Sequence, residues 1–326
     1  MSEEIIVSVV MPTYNEEKYI ENCILTLLQQ DYPKEQMEWL FVDGESKDKT
    51  VEILQRYQAQ YPTLITVLNN PQRLAPHALN IGIRASKGRY IVRLDAHADY
   101  ATDYISKCVY WLEHTDADNV GGVAETKGNG FVGEANAEIL SSKFGVGGSK
   151  FRTENESGYV DTVPFGAFRR EIFDKVGYFN PEFPRSEDND LNGRIRKSGG
   201  KIYLSNDIRF TYYCRDTLGG LLQQGLLNGN ALFLTIRKNP AAMSVRHYVP
   251  FCFVLSLLLL PILSAFFPPV WWVLCGELAA YFALDVYFCL RGGKLKYFFY
   301  KLFVFPLFHI VYGIGSCIGM FGIKLY

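Results

Sequence analysis

The sequence predicts an α/β fold: a mostly parallel, Rossmann-like sheet, followed by C-terminal transmembrane helices. Three observations predict it. Between residues 7 and 94, short β-branched apolar runs alternate with stretches of helical periodicity, the pattern of a parallel sheet covered on both faces. Polar and acidic residues stand where several of those runs stop. Beyond residue 247 the composition turns almost wholly apolar.

VSVVM (7–11) is a buried strand by length and β-branching, and PTYNE breaks it. Ile20, Ile24, Leu27 and Leu28 then give a helical face. WLFV (39–42) is a second strand, closed by Asp43 and Gly44. Ser46 or Asp48 caps the next helix, whose face is Val51, Leu54 and Tyr57. LITVL (64–68) is a third strand, Ala78 to Ala85 a helix ended by Gly88, and YIVRL (90–94) the fourth strand.

Ligands of such sheets bind outside the carboxyl ends of the strands. Pro12 to Glu16 follow the first strand, Asp43 the second, and Asp95, His97 and Asp99 the fourth. No GxGxxG follows the first strand, so the dinucleotide fingerprint is absent. YIVRLDAHAD (90–99) has three readings: a metal site, a nucleotide site, or a solvated polar turn. A nucleotide site without a glycine loop holds its phosphates through a divalent cation. Carboxylates suit Mg2+ or Mn2+, and the imidazole of His97 leans toward Mn2+.

The 326 residues carry 33 basic and 34 acidic side chains, which argues against a nucleic-acid partner. Seven cysteines, at 23, 108, 214, 252, 275, 289 and 317, include no CxxC pair and read as free thiols in a reducing compartment. MSEEIIVSVV lacks the basic and long apolar regions of a signal peptide, so the first domain is expected to stay in the cytosol.

Residues 249–270 carry no charge, 271–290 include Glu277 and Asp285, and 302–323 hold His309. Each is long enough for a span, which needs about 20 apolar residues. The short link FFPPVWW leaves a re-entrant hairpin as the alternative to two full crossings. Arg237, Lys238 and Arg246 precede the first run, and Arg291, Lys294 and Lys296 separate the second from the third. The positive-inside rule then predicts both basic segments, and so the large N-terminal domain, in the cytosol. Glu277, Asp285 and His309 are costly in lipid and are site candidates on that ground. Gly315 and Gly319 permit close helix contact, or are ordinary glycines of a span. Upstream, Leu218, Leu221, Leu222, Leu226, Leu232, Phe233 and Ile236 recur at nearly helical spacing. That segment is expected to lie on the membrane, with core packing as the alternative. The expected organisation is a catalytic domain over 1–215, an interfacial segment over 216–247 and a membrane module over 248–326.

VSVVMPTYNE, FVDGESKDKT, ALNIGIRASKGRYIVRLDAHAD and EDNDLNGRIRKSGG, in that order, resemble the family 2 glycosyltransferases with a GT-A fold. FGVGGSKFR, YVDTVPFGAFRREIF and the three terminal runs narrow the resemblance to the bacterial succinoglycan and exopolysaccharide glucosyltransferase subgroup. The resemblance implies inverting transfer of a sugar, glucose favoured, from a UDP-sugar. It implies a polyprenyl-diphosphate-linked saccharide as acceptor and Mn2+ or Mg2+ as cofactor. Pro12, Thr13, Tyr14, Glu16 and Asp43 correspond to the nucleotide site, with Gly44 where many members have a second acid. Asp95 and His97 match the ends of the DxD motif and so the metal site, with Asp95 also beside the donor. Asn80 and Arg93 are donor-site neighbours by the same likeness, with helix and strand surface as the alternative. Asp188 matches the catalytic base of the ED motif, and Glu187 and Gly166 fall at the acceptor. Asp188 is expected in the first turn of a helix, where the dipole favours its ionised form; helix capping is the competing explanation. LLQQGLLNGN departs from the QxxRW of processive synthases, which implies single-sugar addition. Arg169 and Arg215 are candidate phosphate contacts or plain surface arginines. Two further readings are a polyprenyl-phosphate sugar synthase and a silent scaffold of a polysaccharide assembly complex.

Overall fold

The computed structural model describes residues 4–153, 156–291 and 293–326. The first half runs β1 (Val7–Thr13), α1 (Ile20–Leu28), β2 (Met37–Asp43), α2 (Thr50–Gln60), β3 (Ile65–Asn69), α3 (Ala75–Ala85), β4 (Tyr90–Arg93), β5 (Ala98–Tyr100), α4 (Tyr104–His114) and β6 (Asn119–Lys127). The helices α5 (Gly130–Leu140), α6 (Lys143–Val146) and α7 (Lys150–Thr153) follow. Then come β7 (Gly158–Tyr159), β8 (Ala167–Arg169), α8 (Glu171–Val176), α9 (Glu187–Lys197) and β9 (Ile202–Tyr213). The chain ends with α10 (Leu218–Ile236), α11 (Val249–Phe266), α12 (Val270–Arg291) and α13 (Phe298–Met320).

Two compact units result. One comprises Met1–Glu125 and Asn155–Tyr212, the other Thr126–Glu154 and Tyr213–Tyr326. In the first, the four strands expected from the sequence form with their expected parallel pairing, in the order β3-β2-β1-β4. Every residue of β2 is buried, as a strand covered on both faces requires. On α1 the apolar period buries Ile20, Cys23, Ile24 and Leu27. Register aligns the strand ends: Thr13 stands opposite Asp43, Asp43 opposite Asn69, and Val10 opposite Arg93. The carboxyl ends therefore make one continuous rim, where ligands of such sheets sit.

The sheet continues past β4 through β8, β6, β9 and β5, with antiparallel β4–β8, β6–β8 and β5–β9 pairs. Its two- and three-residue strands β7, β8 and β5 are too short to show a period of two in the sequence.

Among the described residues of the second unit, three helices are long and apolar enough to cross a membrane: Val245–Phe266, Val270–Arg291 and Leu295–Met320. They coincide with the three apolar runs, and Phe267, Pro268 and Pro269 break the first from the second. Between α10 and α13 the backbones nearly touch. A Cβ on Gly229 would lie 2.0 Å from the Tyr312 carbonyl oxygen, and one on Gly315 would lie 2.1 Å from that of Leu226. Gly225 and Gly229 of α10 thus face Phe308 and Tyr312, and Gly315 and Gly319 of α13 face Leu226 and Asn230, so the small residues of both helices have a packing role. The segment expected to lie on the membrane packs one face along α13.

Residues 126–154 are the departure from the linear division, since α5 and α6 pack with the C-terminal helices. The Phe144 ring stacks on Phe288 at 5.3 Å and meets Tyr281, Phe305 and His309 edge-on or tilted. His309 Nε2 donates to the Phe144 carbonyl at 2.9 Å, so its Nδ1 accepts from the Tyr281 hydroxyl at 2.8 Å. Glu277 accepts from the Ser256 hydroxyl at 2.6 Å, and Asp285 from the Cys289 thiol at 3.4 Å. The three ionisable residues singled out in the spans are thus each bonded to groups of the same unit. The seven cysteines are free thiols.

Glu138 on α5 binds both the link after α12 and the first turn of α13. It accepts from the Lys294 N–H at 2.7 Å and from Lys301 Nζ at 2.9 Å. The Lys301 side chain is 1% exposed, and a buried ammonium needs its counter-charge. Glu138→Gln is therefore expected to destabilise the detergent-solubilised protein by about 3 kcal/mol. Adding Lys301→Met should recover most of the lost melting temperature, and a melt unmoved by the single change would discount the pair.

Candidate active site

The rim of the parallel strands is built by two loops laced together. After β1, Asn15 takes a left-handed backbone, φ 55°. Its N–H donates to Ser46 Oγ at 2.9 Å, and its side chain accepts from the Lys47 N–H at 2.8 Å. The Glu16 N–H donates to Thr50 Oγ1 at 2.7 Å. Asp43 is buried and accepts the Ser46 N–H at 2.9 Å, so its carboxylate shapes the loop after β2. Tyr14 is exposed, and a Cβ on Gly44 would lie 3.2 Å from its ring. A side chain at position 44, where a second acid is common, would crowd that ring.

At the end of β4 one guanidinium gathers three carboxylates. Arg93 Nη2 donates to Asp95 Oδ1 at 3.3 Å and to Glu187 Oε1 at 3.4 Å, and Nη1 donates to Asp188. Burial disfavours the charge on Arg93, but Asp188, Asp95 and Glu187 outweigh it and raise its pKa. Burial, then the charge of Asp188, pushes the Glu187 carboxyl above its ordinary range. Asp188 is raised too, by burial and by Asp95, with Arg93 opposing. The helix N-terminus was expected to favour the ionised form; desolvation outweighs it. A raised carboxylate is the stronger base, better matched to accepting a proton near neutrality.

Glu187 and Asp188 occupy the first turn of α9, as expected. Arg194 anchors that helix by donating to the Gly177 and Tyr178 carbonyls at 3.1 and 2.8 Å. Asn192 accepts from Asn119 at 2.7 Å and donates to Thr162 at 2.8 Å. Such fixings limit how far the acids can wander.

Asp95 is followed by a tight turn. Its N–H donates to the Tyr100 hydroxyl at 2.8 Å, and that hydroxyl donates back to the Asp95 carbonyl at 3.2 Å. His97 is half exposed, with Nδ1 3.3 Å from Glu16 Oε1. Among the described residues no three His, Cys, Asp or Glu side chains converge as a metal cluster. One carboxylate and one imidazole, the rest of the shell coming from a diphosphate and water, fits Mg2+ or Mn2+, which commonly bind with their phosphate. The residues present fit a cation that arrives with a nucleotide.

The remaining candidates fall as follows. Pro12 and Thr13 close β1 against Val42 and Asp43. Asn80 exchanges two hydrogen bonds with the Phe179 backbone, at 2.8 and 2.9 Å, and so pins the loop ahead of α9. The Gly166 carbonyl accepts the Arg93 N–H at 3.0 Å, and a Cβ there would lie 2.2 Å from Asn119 Oδ1. Arg169 donates to the Leu112, Thr115 and Ala117 carbonyls in the last turn of α4 and just after it, away from the rim. Two contributors went unnoticed in the sequence, Tyr100 and Phe165. Phe165 holds φ 49° and sets its ring 5.6 Å from the Arg93 guanidinium. The available signal was Arg93 itself, since a charge inside a buried strand requires partners.

The family model "Glycosyl transferase family 2" matches residues 8–177. The chain belongs to glycosyltransferase family 2. This glycosyltransferase is 30% identical over 244 residues to the succinoglycan biosynthesis protein ExoA of Rhizobium meliloti (strain 1021), covering 74% of this chain and 73% of that one. It is 29% identical over 259 residues to the dolichyl N-acetyl-alpha-D-glucosaminyl phosphate 3-beta-D-2,3-diacetamido-2,3-dideoxy-beta-D-glucuronosyltransferase of Methanococcus voltae, covering 77% and 80%. Its fold is similar to that of a mannosyltransferase from Pyrobaculum calidifontis solved with GDP-Man and Mn2+, with TM-score 0.65, 20% identity, and coverage of 97% of this chain and 88% of that one. The fold is GT-A, with three candidate membrane helices at the C-terminus.

Proposed function

We propose that this glycosyltransferase moves one hexose, glucose favoured, from a UDP-sugar to a polyprenyl-diphosphate-linked saccharide, with inversion and without processive extension. The observation that carries the reading is the Arg93 cluster. It holds Asp95, the candidate cation ligand, and Asp188, the candidate base, on the two arms of one guanidinium. Pro12, Thr13, Tyr14, Glu16 and Asp43 border the nucleotide, with Asn80 and Arg93 nearby. Glu187 and Gly166 border the acceptor. Asp188 takes the proton of the acceptor hydroxyl as its oxygen attacks the anomeric carbon, opposite the departing diphosphate. Asp95 and His97 would hold Mn2+ or Mg2+, which supplies positive charge to the diphosphate leaving group.

The membrane helices suit an acceptor whose lipid stays in the bilayer, because docking there fixes its orientation. The bonds from Lys294 and Lys301 to Glu138 support a cytosolic face: the basic link between the second and third spans lies with α5. An inner-membrane, multi-pass placement follows from that side and the charge bias. Polysaccharide assembly proteins are the natural neighbours.

The test is a panel of UDP-sugars given to full-length protein in lipid nanodiscs with defined lipid-linked acceptors, the product read by mass spectrometry. EDTA is expected to abolish turnover and Mn2+ to restore it. Turnover that persists in EDTA would remove the cation role of Asp95 and His97.

A further inference from the structure

The Arg93 side chain is 7% exposed, and its Nε is buried with no hydrogen-bond partner. The Phe165 ring flanks the guanidinium, and the Tyr104 hydroxyl fixes Phe165 by donating to its carbonyl at 2.7 Å. The Arg93 backbone is tied to Gly166. A guanidinium confined in this way stays within reach of Asp95, Glu187 and Asp188 and contacts all three.

We infer that Arg93 is a positioning residue that couples donor binding to the acceptor acids: it divides its charge among Asp95, Glu187 and Asp188 until a divalent cation and diphosphate claim Asp95, and it then rests on Asp188 and Glu187 alone. The inference rests on the proposed reading in which Asp95 holds the cation and Asp188 takes the proton. Its physics is competition. Two cations at one partly buried carboxylate repel each other, so each weakens the other's hold. The acids of α9 are therefore gripped most firmly when the donor is in place. Linkage makes the coupling reciprocal, so a change that drives Arg93 toward Asp95 weakens the cation, and removal of Arg93 tightens it. A residue that merely supports the fold has no such signature.

Mn2+ binding is measured on full-length protein in nanodiscs with saturating UDP, free Mn2+ being read by electron paramagnetic resonance. Arg93→Met is expected to bind Mn2+ about fivefold more tightly. It should also lose about 100-fold in kcat at saturating Mn2+ and donor, because the acids lose their orientation. Arg93→Lys should regain part of kcat and a Mn2+ affinity near that of the wild type. Asp188→Asn, which keeps the arginine but weakens its alternative partner, should bind Mn2+ about fivefold more weakly, and it carries the test if Arg93→Met does not fold. An affinity unmoved or weakened in folded Arg93→Met overturns the coupling, as does an unmoved affinity in Asp188→Asn. Asp95→Ala separates the two levels. If it binds Mn2+ like the wild type, the underlying site reading fails. If it loses Mn2+ while the other variants are unmoved, only the coupling fails.

Discussion

Asp188→Asn is expected to lower kcat by at least about 1000-fold, while UDP is still bound at saturating Mn2+. The exchange is nearly isosteric. Its amide oxygen can still accept from Arg93 Nη1, and Ser186, which precedes α9, is untouched. The proton acceptor is what disappears. The remaining rate would come from orientation and charge at the donor, which the variant keeps. Turnover is followed with labelled donor, and UDP binding by calorimetry on the same preparation. Transfer within tenfold of the wild type would remove Asp188 as the base.

Gly229→Val is expected to disrupt the α10–α13 crossing, at a cost of about 3 kcal/mol. Its Cβ would lie 2.0 Å from the Tyr312 carbonyl oxygen, a backbone atom that no rotamer change can move. Relief requires the helices to separate, which also pulls Asn230 from the Gly315 and Ile323 carbonyls it now reaches at 3.4 and 2.9 Å. The control is Gly276→Val on α12, where a Cβ meets nothing within 4 Å. Thermal unfolding and protease resistance in detergent should fall for the first variant and hold for the second. Equal melting of Gly229→Val and wild type would mean the close contact contributes nothing.

What was legible depended on the range of the signal. Strands β1 to β4 showed because β-branched runs are local, and their polar ends marked the rim. In the antiparallel half, β7 and β8 did not show, because they are two and three residues long and are held by pairing with β9, β4 and β6. At the site, Asp95 and the acids of α9 stood out as motif residues. Their common partner Arg93 was noted only as a donor-site neighbour. The pairing joins residues 95 positions apart, which no local pattern reports. The docking of Phe144 was hidden for the same reason. The apolar runs advertised the membrane helices but gave no hint that α5 and α6 pack among them.

That docking has a consequence for how the molecule is made. Phe144 and its partner His309 are separated by 165 residues. At a ribosomal pace of about 5–20 residues per second, the aromatic ring emerges roughly 8–30 seconds before its resting place exists. Until α13 has been made, the faces of α5 and α6 that pack against it have no partner there. Shortened versions ending near residue 215 would leave those faces uncovered for good, so insolubility on truncation would reflect an orphaned segment rather than a fault in the sheet.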